Sequence, residues 1–246
     1  MNDSASRRTP IRILSFLAMF AWLGVAAAGG LGVSPIRIHL SDGMPTAAMT
    51  LENSSARATV VQLQLLAWEA KGEQDSYQPT EELAASPPIA TIQPGETQIV
   101  RVGLSRDVDP QRELAYRLYI EEVPPPPKPD QQGLQVALRI GVPVFVEPRK
   151  AAKPELAWRI ERSVAEGLTL HVINNGNAHV RLMSFRLRAA DDARLLDQRQ
   201  IVGYLLPGQS RHWNMRLQQR VPAGRLLLSV TADPGVADVE LEPENR

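Results

Sequence analysis

The stretch from Gly133 to Pro148, GLQVALRIGVPVFVEP, constrains this chain more than any other. Leu134, Val136, Leu138, Ile140, Val142 and Val144 alternate with Gln135, Ala137, Arg139, Gly141 and Pro143. A period of two is the period of a β-strand, and it sets one continuous apolar row on one face. The proline-rich run Pro124 to Pro129 comes before it and cannot continue a ladder, because proline has no amide donor. Such a row has two uses. It fills the core of its own domain, or, on an edge strand, it completes the core of another protein.

Alternation recurs upstream. From Leu31 to Leu40, Ile36, Ile38 and Leu40 take one face, and Pro35, Arg37 and His39 the other. Ala47 to Asn53 is a short strand turned by Asn53-Ser54-Ser55. Thr59 to Glu69 sets Val61, Leu63 and Leu65 against Gln62 and Gln64 before reaching Trp68, which is expected to anchor the core of a sandwich. Lys71 to Ser86 is polar and reads as a loop. Ile89 to Ile92 and Thr97 to Leu104 follow as strands, separated by the turn signal Pro94-Gly95. In Glu113 to Val123, Leu114, Tyr116, Leu118 and Ile120 share a face, with Ala115, Arg117, Tyr119 and Glu121 opposite. Seven strand candidates between Leu31 and Pro148, with no convincing helix, fit an immunoglobulin-like sandwich.

The proline-bounded, basic segment PRKAAKP reads as a linker, and beyond it the pattern restarts. Leu156 to Ile160, Gly167 to Ile173, His179 to Arg188, Gln209 to Leu217, Gly224 to Val230 and Val236 to Leu241 are strand candidates, with turns at Asn174 to Asn177 and Leu206 to Gly208. No internal repeat stands out between the halves. The expected organisation is a signal peptide over 1–28, an N-terminal domain over 29–148, a linker over 149–154 and a C-terminal sandwich over 155–246.

The leader rests on Arg7, Arg8 and Arg12 ahead of the apolar run Ile13 to Val25, closed by Ala26-Ala27-Ala28. That is the layout of a cleaved secretory signal, too short for a bilayer span of about 20 residues. An exported chain without cysteine stands on its core rather than on disulfides, and thiol and zinc–thiolate chemistry are excluded. The zero net charge gives no field that would draw nucleic acid. His39, His171, His179 and His212 lack the spacing of a metal-binding helix, so no metal site is expected. No serine sits in a G-x-S-x-G elbow, and no glycine loop is built for phosphate. The paired carboxylates Glu81-Glu82, Glu121-Glu122 and Asp191-Asp192 are chain neighbours, which on a strand face opposite ways. No catalytic residue and no cofactor are expected. What is left is a binding module or a secreted structural or adhesive immunoglobulin-like protein.

Several fragments follow one another along the chain in a telling order and spacing. They are VSPIRI at Val33 to Ile38, LENSS at Leu51 to Ser55, VQL at Val61 to Leu63 with Trp68, and SPPI and IQPGE between Ser86 and Glu96. IVRV at Ile99 to Val102, YRLYIEEVP at Tyr116 to Pro124, NNGNAHVRL at Asn174 to Leu182 and LPGQ at Leu206 to Gln209 complete the set. Together they resemble the periplasmic chaperones of the chaperone–usher pilus pathway. The resemblance implies an all-β chain of two immunoglobulin-like β-sandwich domains in a boomerang arrangement, located in the periplasm. It implies as partners pilus or fimbrial subunits, each an immunoglobulin-like fold lacking its last strand, and an outer-membrane usher. The alternating strand would fill the subunit's groove, with the row assigned to Leu134, Val136, Leu138, Ile140 and Val142. A long apolar edge also implies self-association of the free protein.

The family holds the subunit's terminal carboxylate with two basic residues. The first maps onto Arg37, but the second maps onto Pro143, which carries no charge. That departure resembles the archaic, or alternative, branch of the family. Arg117, one strand earlier and off the apolar face, is either the replacement or an arginine that is solvated or paired with a carboxylate on an adjacent strand.

Overall fold

The computed structural model describes residues 30–126, 136–163, 167–217, 224–233 and 235–245. The expected leader and Leu134 lie outside the described residues. Regular structure among those described is entirely β.

The first ten strands are β1 (Leu31–Ser34), β2 (Ile38–Leu40), β3 (Thr46–Asn53), β4 (Thr59–Lys71), β5 (Gln74–Pro79), β6 (Leu83–Ser86), β7 (Ile89–Ile92), β8 (Thr97–Leu104), β9 (Leu114–Glu122) and β10 (Arg139–Val146). They build two sheets, one in the order β1-β3-β8-β6 and one in the order β2-β10-β9-β4-β5, with β7 also on β4. In the strands that bury one face, apolar residues at every second position point toward the other sheet. Met49, Leu51, Val100 and Val102 from the first sheet meet Val61, Tyr116, Leu118, Ile120, Val142 and Val144 from the second.

The second sandwich comprises β11 (Leu156–Ser163), β12 (Gly167–Asn174), β13 (Val180–Ala189), β14 (Leu195–Leu205), β15 (Ser210–Met215), β16 (Leu226–Asp233), β17 (Val236–Leu241) and β18 (Glu244–Asn245). Its sheets run β15-β12-β11-β18 and β14-β13-β16-β17. Phe185 packs with Ile160, Leu168, Leu170, Leu226 and Leu228 between them.

Four features differ from the expectation, each for a physical reason. The opening segment is two strands in different sheets, because the chain leaves β1 after Ser34 and joins β10 only at Ile38. Lys71 to Ser86 is mostly strand: β5 pairs with β4 and β6 with β8. β5 is an edge strand with neither face buried, so it carries no apolar row that periodicity could detect. β14 was absent from the expected set. Two bulges where it meets β13 break its alternation, and it too lies on an edge. Trp68, finally, is not in the sandwich core. It shares the parity of Gln62 and Gln64 and packs outside the sheet with Phe145 and Leu206.

The two sandwiches repeat one device that the sequence comparison of the halves did not suggest. Asn53 and Asn174 both end a strand and both are buried. The Asn53 amide donates to the carbonyls of Arg57 and Ile92 at 2.7 and 2.9 Å, and that of Asn174 to those of Ala178 and Leu205 at 2.8 and 3.1 Å. Gly95 and Gly208, each at φ 75° in a Pro-Gly turn, donate their N–H groups to the carbonyls of Asn53 and Asn174, both at 2.7 Å. That φ suits glycine and fixes the turn in both places. Each asparagine thus closes the end of its sandwich against the turn between two later strands. Replacing either by alanine removes two amide hydrogen bonds that close the strand end, so Asn53→Ala and Asn174→Ala should each cost about 1 to 3 kcal/mol in urea unfolding.

Candidate functional site

β10 is paired on one side along its whole length and on the other only in part. Antiparallel pairing with β9 runs from Arg139↔Glu121 to Val146↔Leu114, whereas parallel pairing with β2 covers only Val144, Phe145 and Val146. The Glu122 N–H donates to the Leu138 carbonyl at 2.9 Å, so the even-numbered residues bond β9. By alternation Arg139, Gly141 and Pro143 present their backbone to the other side, where β2 has not begun. The Glu147 N–H, of the same odd parity, bonds the Leu40 carbonyl at 2.9 Å once β2 is present. Pro143 therefore removes no ladder bond, because its missing N–H belongs to the open edge.

The apolar row is divided along its length. Val136 is 78% exposed and Leu138 41%. Ile140 is half-buried against the first core. Val142 corrects the sequence-based assignment, because at 2% exposure it is inside this chain's own core and cannot be donated. The strand thus leaves its own sandwich between Val142 and Leu138 and carries the same face outward.

Arg37 and Arg117 come together on the opposite face. Pro143 stands directly across from Arg117, and Arg37 immediately precedes Ile38, which is paired with Val144. The three therefore lie on one line across the sheet, with the two arginine Cα atoms about 10 Å apart at ordinary strand spacing. Buried Pro143 forms an apolar floor between the two cations. The Arg117 guanidinium lies 4.2 Å from the centroid of the Trp68 ring and 5.9 Å from that of Tyr77. Among the described residues it has no carboxylate partner. Gly141 makes room for it, since a Cβ there would come within 3.2 Å of the Tyr119 ring and 3.4 Å of the Arg117 side chain. Arg37 crosses to the second sandwich, where its Nε donates to the Tyr204 hydroxyl at 3.1 Å and a terminal nitrogen to Asp233 at 2.9 Å. Burial works against its charge, but the bonds to Asp233 and Tyr204 outweigh that and raise its pKa.

The face that carries these arginines is also the junction between the sandwiches. Trp68 and Phe145 pack on Leu206, with Tyr204 and Tyr77 at the margin. The Phe145 ring stacks on His179, with centroids 3.5 Å apart and planes 9° from parallel. His179 is held by buried Glu113, whose carboxylate accepts from its backbone N–H at 2.9 Å and lies 2.7 Å from its Nδ1. The segment expected to be a loop adds Asp75, which accepts from Gln209 at 2.8 Å, and Glu73, 2.6 Å from His212. Of these groups, the sequence points only to the arginines as site residues, and it places Trp68 in the sandwich core instead. A detectable signal was present in the parity of Trp68 and Phe145, bulky aromatics on the face away from the apolar rows.

Residues 30–152, half of the chain, match the family model described as "Pili and flagellar-assembly chaperone, PapD N-terminal domain". The chain belongs to this chaperone family. Among solved structures, the chaperone is similar to a chain of the CsuC–CsuE chaperone–tip adhesion subunit pre-assembly complex from the archaic chaperone–usher Csu pili of Acinetobacter baumannii. The identity there is 21% and the TM-score 0.63, over 87% of this chain and 99% of that one. It is similar also to the YadV chaperone, at 20% identity and TM-score 0.60 over 85% and 98% of the two chains. A third likeness is to the Salmonella enterica SafA pilin–SafB chaperone complex, at 17% identity and TM-score 0.59 over 86% and 95%. None of the curated protein sequences matches the chaperone. The family assembles pili and is not enzymatic, and a chaperone that assists subunit folding is the established class of this chain.

His39, beside the junction, gives it a pH dependence. Burial, then the neighbouring His179 and Arg37, push the His39 pKa below the ordinary 6.5, against smaller opposing effects of Glu147 and Glu113. A histidine whose pKa is lowered on folding binds its proton more readily in the unfolded chain. Stability is therefore complete above the unfolded value and declines as pH falls through it. The Tm should drop as pH falls below about 6.5, and His39→Gln should make that drop shallower.

Proposed function

We propose that this chaperone completes pilus subunits in the periplasm by lending them the projecting part of β10, and delivers them to an outer-membrane usher. The observation that carries the reading is the half-open edge, where exposed Val136 and Leu138 continue the row of an otherwise buried strand. A groove missing one strand needs both things this edge supplies. The backbone of Arg139 and Gly141, unpaired on that side among the described residues, offers main-chain bonds, and Val136, Leu138 and Ile140 offer side chains at every second position. Burying three such side chains is worth about 5 to 9 kcal/mol before ordering costs. Leu134 extends the row by one step in the sequence. Without a subunit, the same edge can take a second copy of the chaperone.

The subunit's terminal carboxylate is received on the other face of the same strand, between Arg37 and Arg117 over Pro143. Arg117 is suited to this because aromatic rings hold its guanidinium while no carboxylate among the described residues neutralises it. A planar guanidinium binds a carboxylate by two parallel bonds, and a charge-assisted bond is worth about 1.5 to 3 kcal/mol. One reach of β10 thereby offers a groove-filling row and, one strand width away, a clamp that sets the register of what is bound.

Co-purification with the subunit encoded beside the chaperone tests both parts. Val136→Asp with Leu138→Asp should abolish the complex while the chaperone stays folded. Arg37→Ala and Arg117→Ala should each weaken it about tenfold or more. Retention of the subunit by the double variant would assign the row to another role. Loss with Arg37→Ala but not with Arg117→Ala would remove Arg117 from the clamp.

A further inference from the structure

The group already bonded to Arg37 is itself a carboxylate, and it comes from the other sandwich. Asp233 ends β16, and across β13 and β14 it is aligned with Arg181 and Tyr204: Arg181 pairs with Asp233 on one side and with Tyr204 on the other. Side chains directly opposite on neighbouring strands share a face. The residues flanking Arg181, Val180 and Leu182, are buried in the second core, so Arg181 points away from it. It lies on the face from which Tyr204 and Asp233 reach Arg37. Arg181 is half-buried and has no hydrogen-bond or ion-pair partner among the described residues.

Two guanidinium groups therefore flank one carboxylate, and the set has one positive charge to spare. Resting on the reading that Arg37 receives a subunit's terminal carboxylate, we infer that Asp233 is a resident carboxylate that holds Arg37 in the free chaperone and passes to Arg181 when the subunit's carboxylate takes its place. The exchange breaks one ion pair within the chaperone and forms another, so Asp233 is never left beside the cleft without a cation. Arg181 is thus a positioning residue. It does not touch the subunit, but accepts the group that must leave. The junction between the sandwiches also acquires a state: Arg37 ties them through Asp233 when the chaperone is empty and releases that tie when it is loaded.

The test is calorimetric binding of a synthetic peptide, the C-terminal segment of the neighbouring pilus subunit, made with a free carboxylate and with a terminal amide. Asp233→Asn should tighten the carboxylate peptide about fivefold, as expected for removal of a partly exposed ion pair, and leave the amide peptide unchanged. Arg181→Gln should weaken the carboxylate peptide by a similar factor and again spare the amide. In the double variant the loss from Arg181→Gln should vanish, because no Asp233 carboxylate remains to be rehoused. An Arg181→Gln loss that persists when combined with Asp233→Asn would mean that Arg181 binds the subunit directly, and an Asp233→Asn change that weakens or does not alter carboxylate binding would remove the resident role. Both results overturn the exchange while the clamp reading stands. Equal binding of the two peptides by the unaltered chaperone would overturn the clamp reading, and the exchange with it.

Discussion

The architecture depends on how little of β10 is covered by β2. The chain changes sheets between Ser34 and Ile38, and β2 then supplies only three residues against Val144 to Val146. Upstream of Val144 the edge is unpaired among the described residues. The residue at the point of change is Arg37, which the same geometry places level with Pro143 and Arg117. One short strand thus determines where this chaperone's own sheet ends, which part of the β10 edge it leaves uncovered, and where a cation stands beside that boundary.

The two faces of β10 then divide the labour. On one, Val142, Val144 and Val146 close the first core, and Ile140, Leu138 and Val136 pass progressively out of it. On the other, Phe145 is locked between His179, Trp68 and Leu206, which joins the sandwiches behind the arginines. Phe145 and Val144 are neighbours in the chain, so the core of one domain and the junction of both are held by consecutive residues. A charged group placed on such a rigid face costs little to orient, because the aromatic rings under Arg117 restrict it before any ligand arrives.

The alternation of β10 was legible from residues alone, as was the outward parity of Arg37 and Arg117. The place where the row leaves its own core was not. Val142 and Leu138 have the same period and the same chemistry, and only their positions along β9 separate them: Val142 stands across from buried Leu118, whereas Leu138 stands beside Glu122 at the strand's end. The repeated asparagine device escaped notice because it consists of one residue and a Pro-Gly turn some forty positions apart in one half and about thirty in the other. Trp68 was readable in principle, since it follows the parity of Gln62 and Gln64. β5 offered no apolar row, and the contacts made by its Asp75 and by Glu73 just before it, which reach Gln209 and His212 of the second sandwich, are tertiary hydrogen bonds that periodicity does not report.

Hydrogen exchange of individual β10 amides, in the dilute free chaperone and in its complex with a subunit, tests the central claim most directly. If the open edge is where a subunit is completed, the Arg139 and Gly141 amides exchange rapidly in the free protein and slowly in the complex, while Val142, bonded to β9, is protected in both. Arg139 and Gly141 amides that exchange at the same rate with and without the subunit would contradict the account.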